Sequence, residues 1–112
     1  MAAERFWDRA AETIPRGELE RLQMARVRVC VARLQALESE FYRQRLAGVR
    51  PEDLRTIEDL VRLPFTTKKD LREHYPFGLF AVPSREIVRI HASSGSTGKP
   101  TVVAYTRADL AL

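Results

Sequence analysis

Apolar residues between positions 18 and 46 recur at helical spacing along two sides of one predicted helix. One side carries Leu22, Ala25, Val29, Ala32 and Ala36, and the roughly opposite side carries Met24, Val27, Val31 and Leu34. Most of the other residues in this run are strong helix formers, and the run follows Pro15-Arg16-Gly17. The pattern predicts a single long helix over residues 18–46 that needs a packing partner on each side.

A second helix is predicted to begin at Pro51, because proline is favoured in the first helical turn. Leu54, Ile57 and Val61 are spaced so that they would share one face of it. Pro64 cannot continue a helix, so the predicted helix stops before that residue.

A third, shorter helix is predicted from a capping signal. Thr67 and Asp70 are separated by the three positions of a capping box, in which each side chain bonds the backbone amide of the other residue. The helix that they start should run to about His74 and be ended by Pro76.

The character of the chain changes at residue 77. Residues 77–83 are apolar and turn-rich, while residues 87–91 and 101–105 are rich in β-branched side chains and predict two strands. A small, polar, glycine-bearing segment, residues 92–100, joins them. The sequence therefore predicts an α+β chain, with a helical segment over residues 1–76 followed by a β-hairpin that begins an α/β core over residues 77–112.

A further capping box begins close to the last residue. Thr106 and Asp109 have the required spacing, yet only Leu110, Ala111 and Leu112 follow. A helix of about one turn gains almost no stability in isolation. The pattern indicates a chain that is interrupted as an element begins, and hence a fragment.

Composition is that of a folded globular protein. The 112 residues are 45% hydrophobic and 30% charged, with a formal net charge of +4. Four arginines and no acidic residue lie between Arg21 and Arg33, which could be a footprint for a phosphate backbone. A helix whose arginines face solvent or pair with acids elsewhere is the favoured interpretation, so no nucleic-acid partner is predicted.

Cys30 is the single cysteine, so no intramolecular disulfide can form. Its apolar neighbours predict a small buried thiol rather than a nucleophile. The first residues lack the apolar core of a signal peptide, and no apolar run approaches the length of a membrane span. The expected location is the cytoplasm, without membrane association.

The segment with strong chemical character is the loop Ser93-Ser94-Gly95-Ser96-Thr97-Gly98-Lys99-Pro100. Glycines let backbone amides turn toward an anion, hydroxyls add donors, and Lys99 adds a positive charge. A Walker A loop is excluded, since that pattern needs glycine at 93 and serine or threonine at 100. From composition alone, a polyphosphate-binding loop and a polar hairpin loop remain equally open.

Residues 91–103 resemble the signature phosphate loop of the adenylate-forming superfamily, in the form found in its phenylacetate-CoA ligase branch. Leu63-Pro64-Phe65-Thr66-Thr67-Lys68, Tyr75-Pro76-Phe77-Gly78-Leu79-Phe80 and Phe41-Tyr42-Arg43 are similar to segments that precede the loop in that family. Ser96 stands where threonine is more usual and keeps the hydroxyl. The resemblance covers nearly the whole chain and implies that it is the start of an adenylate-forming N-terminal domain.

The resemblance implies a two-step reaction that uses ATP, Mg²⁺ and coenzyme A. The carboxylate of an aryl acid such as phenylacetate attacks the α-phosphate to give an acyl-adenylate and pyrophosphate, and coenzyme A then displaces AMP to give phenylacetyl-CoA. It also implies that the loop binds the ATP phosphates through Ser93, Ser94, Gly95, Ser96, Thr97, Gly98 and Lys99. The family's adenine, ribose and catalytic-lysine positions would lie beyond Leu112, so no catalytic residue or metal ligand is assigned.

Two alternatives remain beside this interpretation. One is a related ligase for a different aryl acid, and the other is a stand-alone helical interaction module without activity. As a ligase, the fragment by itself is expected to be inactive, its partners being small-molecule substrates and the remainder of its own polypeptide. A homodimer is compatible with either view.

Overall fold

The computed structural model describes residues 5–95 and 98–111. Within these ranges, four α-helices come in order: α1 (Arg9–Glu12), α2 (Arg16–Gln35), α3 (Glu40–Arg45) and α4 (Lys68–Glu73). Two strands follow, β1 (Ile87–Ala92) and β2 (Val102–Thr106), and pair in an antiparallel sheet. Short 3-10 turns cover Pro51–Asp53, Ile57–Arg62, Ser84–Glu86 and Asp109–Ala111. The predicted α+β order, helical first and then a hairpin, is confirmed.

The chain divides into two compact units, and each draws on the helical part. The first contains the residues up to Arg33 together with Val49–Leu63. The second contains Leu34–Gly48 together with the residues from Pro64 onward. The boundary between segments 1–76 and 77–112 stays a prediction.

The first unit buries one side of α2. Met24 and Leu54 are almost completely buried, with 1% and 0% of their surfaces exposed, and Val31 is also buried. The Arg28 guanidinium donates a hydrogen bond of 2.9 Å to the Leu54 carbonyl oxygen, which ties the helix to the segment after it. The opposite apolar side is exposed, as Val29 shows with 69% of its surface accessible. Only one of the two expected packing partners is present in the described chain.

The single helix predicted over residues 18–46 was wrong. Helix α2 ends at Gln35, Ser39 takes an extended conformation, and α3 then begins at Glu40. The break lets the Gln35 side chain turn back and donate a hydrogen bond of 3.0 Å to the Leu46 carbonyl oxygen. Phe41 and Leu46, which would point about 140° apart on a continuous helix, are both buried in the second unit.

The helix predicted from Pro51 was also wrong, because the segment forms two separate 3-10 turns. A capping box that was not predicted starts the second turn, where the Asp59 carboxylate accepts hydrogen bonds of 2.9 Å from the amides of Arg55 and Thr56. These amides lower the pKa of Asp59. Of the three residues predicted to share one face, Leu54 is buried but Val61 is 88% exposed.

The prediction that Cys30 is buried was wrong as well. Cys30 is exposed, because it lies on the part of α2 that turns away from the Met24 and Val31 side. Among the residues that the structure describes, no helix has the length and apolar character needed to cross a bilayer.

Candidate phosphate-binding loop

The helix predicted at Thr67 is present and anchors the segment that leads toward the hairpin. Thr67 caps α4, and the buried Asp70 carboxylate accepts hydrogen bonds from the Thr67 amide (2.7 Å) and hydroxyl (2.8 Å). Asp70 also forms a salt bridge with Arg45 on α3. These bonds from Thr67, reinforced by the Arg45 charge, lower the pKa of Asp70. The capping box is therefore also the attachment point of α3.

The segment after α4 is fixed by two close contacts. The Tyr42 hydroxyl donates a hydrogen bond of 2.6 Å to the Leu79 carbonyl oxygen. At Gly78, a Cβ would lie 2.8 Å from both the Cβ and the carbonyl oxygen of His74, so no larger residue fits without a shift. The Tyr75-Pro76 peptide bond is cis. Residues 77–80 are thus held against α3 and α4 within the second unit.

Antiparallel pairing of β1 and β2 brings the two ends of the loop together. His91 is opposite Val103 and Ala92 is opposite Val102. Val102 is buried, whereas most of β1 is exposed. The predicted hairpin with a connecting loop is confirmed, and its last sheet pair lies directly below Ser93.

Three hydrogen bonds between Ser93 and Thr101 continue the pairing past the end of the sheet. The Ser93 amide donates to the Thr101 carbonyl oxygen (3.0 Å), and the Thr101 amide donates to Ser93 Oγ (3.0 Å). The two hydroxyls are also bonded to each other, at 2.8 Å. We call this set of bonds the Ser93–Thr101 clamp. It closes the base of the loop.

A second closure lies further out and depends on glycine. The Gly98 amide donates a hydrogen bond of 3.3 Å to the Gly95 carbonyl oxygen. A Cβ on Gly95 would lie 2.4 Å from the Gly98 carbonyl oxygen, closer than real Cβ contacts come. Gly98 has φ of +128°, in the region that favours glycine. Both glycines are therefore required by the conformation of the loop itself.

The polar groups that remain available point to anion binding. Ser94 and Lys99 are exposed, and neither side chain is bonded to another residue within 5–95 or 98–111. A hydroxyl and a mobile ammonium beside glycine amides can surround a polyphosphate. Ser96 and Thr97, which complete the predicted set, lie outside the described residues.

Both histidines of the chain have aromatic neighbours. The His91 ring lies against the Tyr105 ring, with 5.0 Å between centroids, on a face of the exposed hairpin. His74 caps the end of α4, and its ring stacks edge-on against Phe41 at 4.9 Å. Within the described ranges, no three side chains of the metal-ligating types come together.

The sequence pattern does not single out Thr101 as a residue of the site, because it predicts only that Thr101 is the first residue of a strand. Its role depends on cross-strand register, which places it opposite the first serine of the loop. The available signal was the pair of hydroxyl residues at the two ends of a strand–loop–strand pattern, which is too common to be decisive.

Sequence comparison connects this hairpin and loop to a group of ligases. The chain is 57% identical over 101 residues to a phenylacetate-coenzyme A ligase of Thermus thermophilus, covering 88% of this chain and 22% of that protein. It is 50% identical over 102 residues to the phenylacetate-coenzyme A ligase of Escherichia coli, covering 88% of this chain and 23% of that protein. A third, from Pseudomonas putida, is 62% identical over 71 residues, covering 62% of this chain and 16% of that protein. No protein-family model matches the chain.

Structural comparison agrees. The chain superposes with a TM-score of 0.82 and 36% identity on a crystal structure of 2-hydroxyisobutyryl-CoA ligase in complex with 2-HIB-AMP and CoA, covering 97% of this chain and 24% of that one. The chain spans no more than about a quarter of the length of these proteins. Over the part that it spans, the chain is therefore a homologue of the phenylacetate-CoA ligases, with the fold of the corresponding part of an acyl-CoA ligase.

Proposed function

We propose that this chain supplies the polyphosphate-binding loop of an ATP-dependent acid-CoA ligase. The observation that carries the proposal is the closed loop between β1 and β2, which leaves Ser94 and Lys99 available above a base fixed by hydrogen bonds. The similarity to phenylacetate-CoA ligases supports the same conclusion from sequence.

The role of the loop follows from the charge of ATP. Lys99 and the Ser94 hydroxyl, with loop amides and with Ser96 and Thr97, would hold the β- and γ-phosphates. Charge-assisted hydrogen bonds of this kind are stronger than neutral ones. Holding the phosphates fixes the α-phosphate for attack by the carboxylate and stabilises the leaving pyrophosphate. Mg²⁺ would arrive with the phosphates that it neutralises, and coenzyme A would accept the acyl group in the second step.

Phenylacetate is the proposed acid, on the strength of the curated relatives. The structural relative is named for 2-hydroxyisobutyrate, which has no aryl group, so this fold is compatible with more than one acid. A ligase for another aryl acid is the second candidate for the substrate. The products would be phenylacetyl-CoA, AMP and pyrophosphate. We place the reaction in the cytoplasm, where ATP and coenzyme A are available, and expect the 112 residues alone to be inactive. A homodimer stays a prediction that sedimentation would test.

Pyrophosphate release measures the proposed first step. The protein encoded by the natural reading frame is supplied with ATP, Mg²⁺ and either phenylacetate, another aryl acid or 2-hydroxyisobutyrate. We expect release to require an acid and to be fastest with phenylacetate. Absence of release with every acid would contradict the proposal, and a preference for another acid would change only the substrate.

Lys99→Ala tests the part played by this chain. Loss of a charge-assisted contact should raise the KM for ATP about 10-fold or more. Lys69→Ala is the matched control, since Lys69 is an exposed lysine on α4 that pairs with Glu73 at 3.6 Å. An equal KM for ATP in the two variants would show that Lys99 does not bind ATP.

A further inference from the structure

We propose that Ser93 and Thr101 are positioning residues of the loop and that Ser93 is not one of its phosphate ligands. This inference rests on the proposed function, but it reassigns a residue that the family resemblance places among the phosphate-binding groups. It also assigns Thr101 a role in closing the loop, which its position after the loop does not by itself indicate. The loop then has a closing part, Ser93 with Thr101, and a binding part, Ser94 with Lys99.

The hydrogen bonds of Ser93 indicate that its side chain is already used within the loop. A serine hydroxyl has one donor hydrogen and two acceptor lone pairs. Ser93 Oγ accepts the Thr101 amide at 3.0 Å and shares a further bond with Thr101 Oγ1 at 2.8 Å. The Ser93 amide donates to the Thr101 carbonyl oxygen. Ser93 therefore uses its amide and two of the three hydrogen-bonding positions of its hydroxyl on a single partner.

The position of the clamp connects it to the binding residues of the loop. It lies one residue beyond the sheet pair Ala92–Val102 and holds the two ends of residues 94–100 at the spacing of paired strands. The Gly98–Gly95 hydrogen bond lies within the segment that it holds. A loosened base would therefore displace Ser94 and Lys99 together. Misplacement of a reacting group by about 1 Å can cost on the order of 100-fold in rate.

Ligands and positioning residues leave different kinetic signatures. Removing a group that binds ATP equally well in the ground state and the transition state raises the KM for ATP and leaves kcat unchanged. Removing a group that only aligns the phosphates lowers kcat at saturating ATP. We expect Ser94→Ala to show the first pattern and Ser93→Ala the second.

The experiment measures acid-dependent pyrophosphate release in the protein that the natural reading frame encodes. The variants compared are Ser93→Ala, Thr101→Val, the double variant of these two, Thr101→Ser and Ser94→Ala. Ser93→Ala and Thr101→Val should each lower kcat about 10-fold, with the KM for ATP changed by less than about 3-fold. The double variant should be no slower than the slower single variant, because Ser93→Ala already removes the hydroxyl–hydroxyl bond that Thr101→Val removes. Thr101→Ser keeps the hydroxyl and should restore kcat to within about 2-fold.

Two results would overturn the inference. One is a raised KM for ATP with unchanged kcat in Ser93→Ala, which is the signature of a ligand. The other is a double variant whose loss is the product of the two single losses.

Amide hydrogen exchange separates a failure of the clamp from a failure of the proposed function. The Thr101 amide donates to Ser93 Oγ, and alanine offers no such acceptor. Exchange at Thr101 should be about 10-fold faster in Ser93→Ala and unchanged in Ser94→Ala. If the protein releases no pyrophosphate, the ligase proposal fails and this measurement alone decides on the clamp, which an unchanged rate in Ser93→Ala would refute.

Discussion

Gly95 and Gly48 both lack a positive φ, but they differ in what a side chain would meet. A Cβ on Gly95 would be 2.4 Å from the Gly98 carbonyl oxygen and 3.3 Å from the Pro100 nitrogen, both backbone atoms that move only with the loop. At Gly48, nothing lies within 4 Å of the same atom. Neither glycine has positive φ, so backbone strain does not enter the comparison and the contact at Gly95 acts alone.

Gly95→Ala should lower kcat/KM for ATP in pyrophosphate release by about 100-fold, since the loop must shift to admit the methyl group. Gly48→Ala, the control, should change it by less than about 2-fold, as expected for a surface substitution without a new contact. If the two variants behave alike, the close approach of Gly95 to Gly98 does not matter for ATP use.

The position of the loop was predictable from its residue types, but the hydrogen-bond partners within it were not. Glycines, hydroxyls and a lysine between two strand patterns located residues 93–99 correctly between β1 and β2. The bonds from Ser93 to Thr101 were not predictable, because they require the strand register to be known to the residue.

At the scale of elements, a side-chain hydrogen bond of 2.6 Å from the Tyr42 hydroxyl to the Leu79 carbonyl oxygen joins α3 to residues 77–80. Tyr42→Phe keeps the ring and removes the hydroxyl. We expect it to lower the free energy of unfolding by about 1 kcal/mol, with more if the Leu79 carbonyl stays unsatisfied. Tyr75→Phe is the matched control, because Tyr75 is partly exposed. Urea unfolding of both variants measures the difference, and equal midpoints would contradict the assignment.

The capping box of α4 makes stability depend on pH. The pKa of Asp70 is lowered in the folded protein by the Thr67 amide and hydroxyl and by the Arg45 charge. The unfolded chain therefore takes up a proton at higher pH than the folded chain does. The contribution of Asp70 is present above its ordinary pKa and is lost as pH falls through the lowered value.

Asp70→Asn should be less stable than the parent protein at pH 7, and the difference between them should shrink as pH falls below about 4. Urea titrations at a series of pH values test this. Asp8→Asn is a suitable control, since Asp8 also caps a helix but is exposed. A difference that stays constant with pH would show that Asp70 acts through shape rather than charge.

Short-range signals were the reliable ones at this scale. The Thr67 box predicted α4 because its bonds close within four residues, and the Thr106 box shows the same reciprocal bonds, at 2.7 and 3.2 Å. The prediction of one long helix over residues 18–46 was wrong because contacts distant in sequence, which hydrophobic periodicity does not reveal, interrupt it. The Gln35 side chain donates a hydrogen bond to the Leu46 carbonyl oxygen, and Arg45 donates one to Asp70, twenty-five positions away.

At the scale of the whole molecule, much apolar surface is left uncovered. Phe65 is 88% exposed, and the hairpin exposes Val88 and Ile90 to about half of their surface. Both strands of the two-stranded sheet also lack a second neighbour within the described ranges. Contiguous apolar surface and open strand edges are features that proteins cover with further chain or with a partner.

The 112-residue chain prepared alone should therefore self-associate at concentrations on the order of 100 µM and bind a hydrophobic dye. The same residues within a polypeptide of the length of the relatives, of which they make up 22–23%, should do neither if additional strands cover the hairpin. The double variant Val88→Thr, Ile90→Thr keeps β-branched side chains and should reduce association of the short chain. Sedimentation velocity measures both effects. A monomeric short chain without dye binding would mean that the exposed hairpin needs no cover.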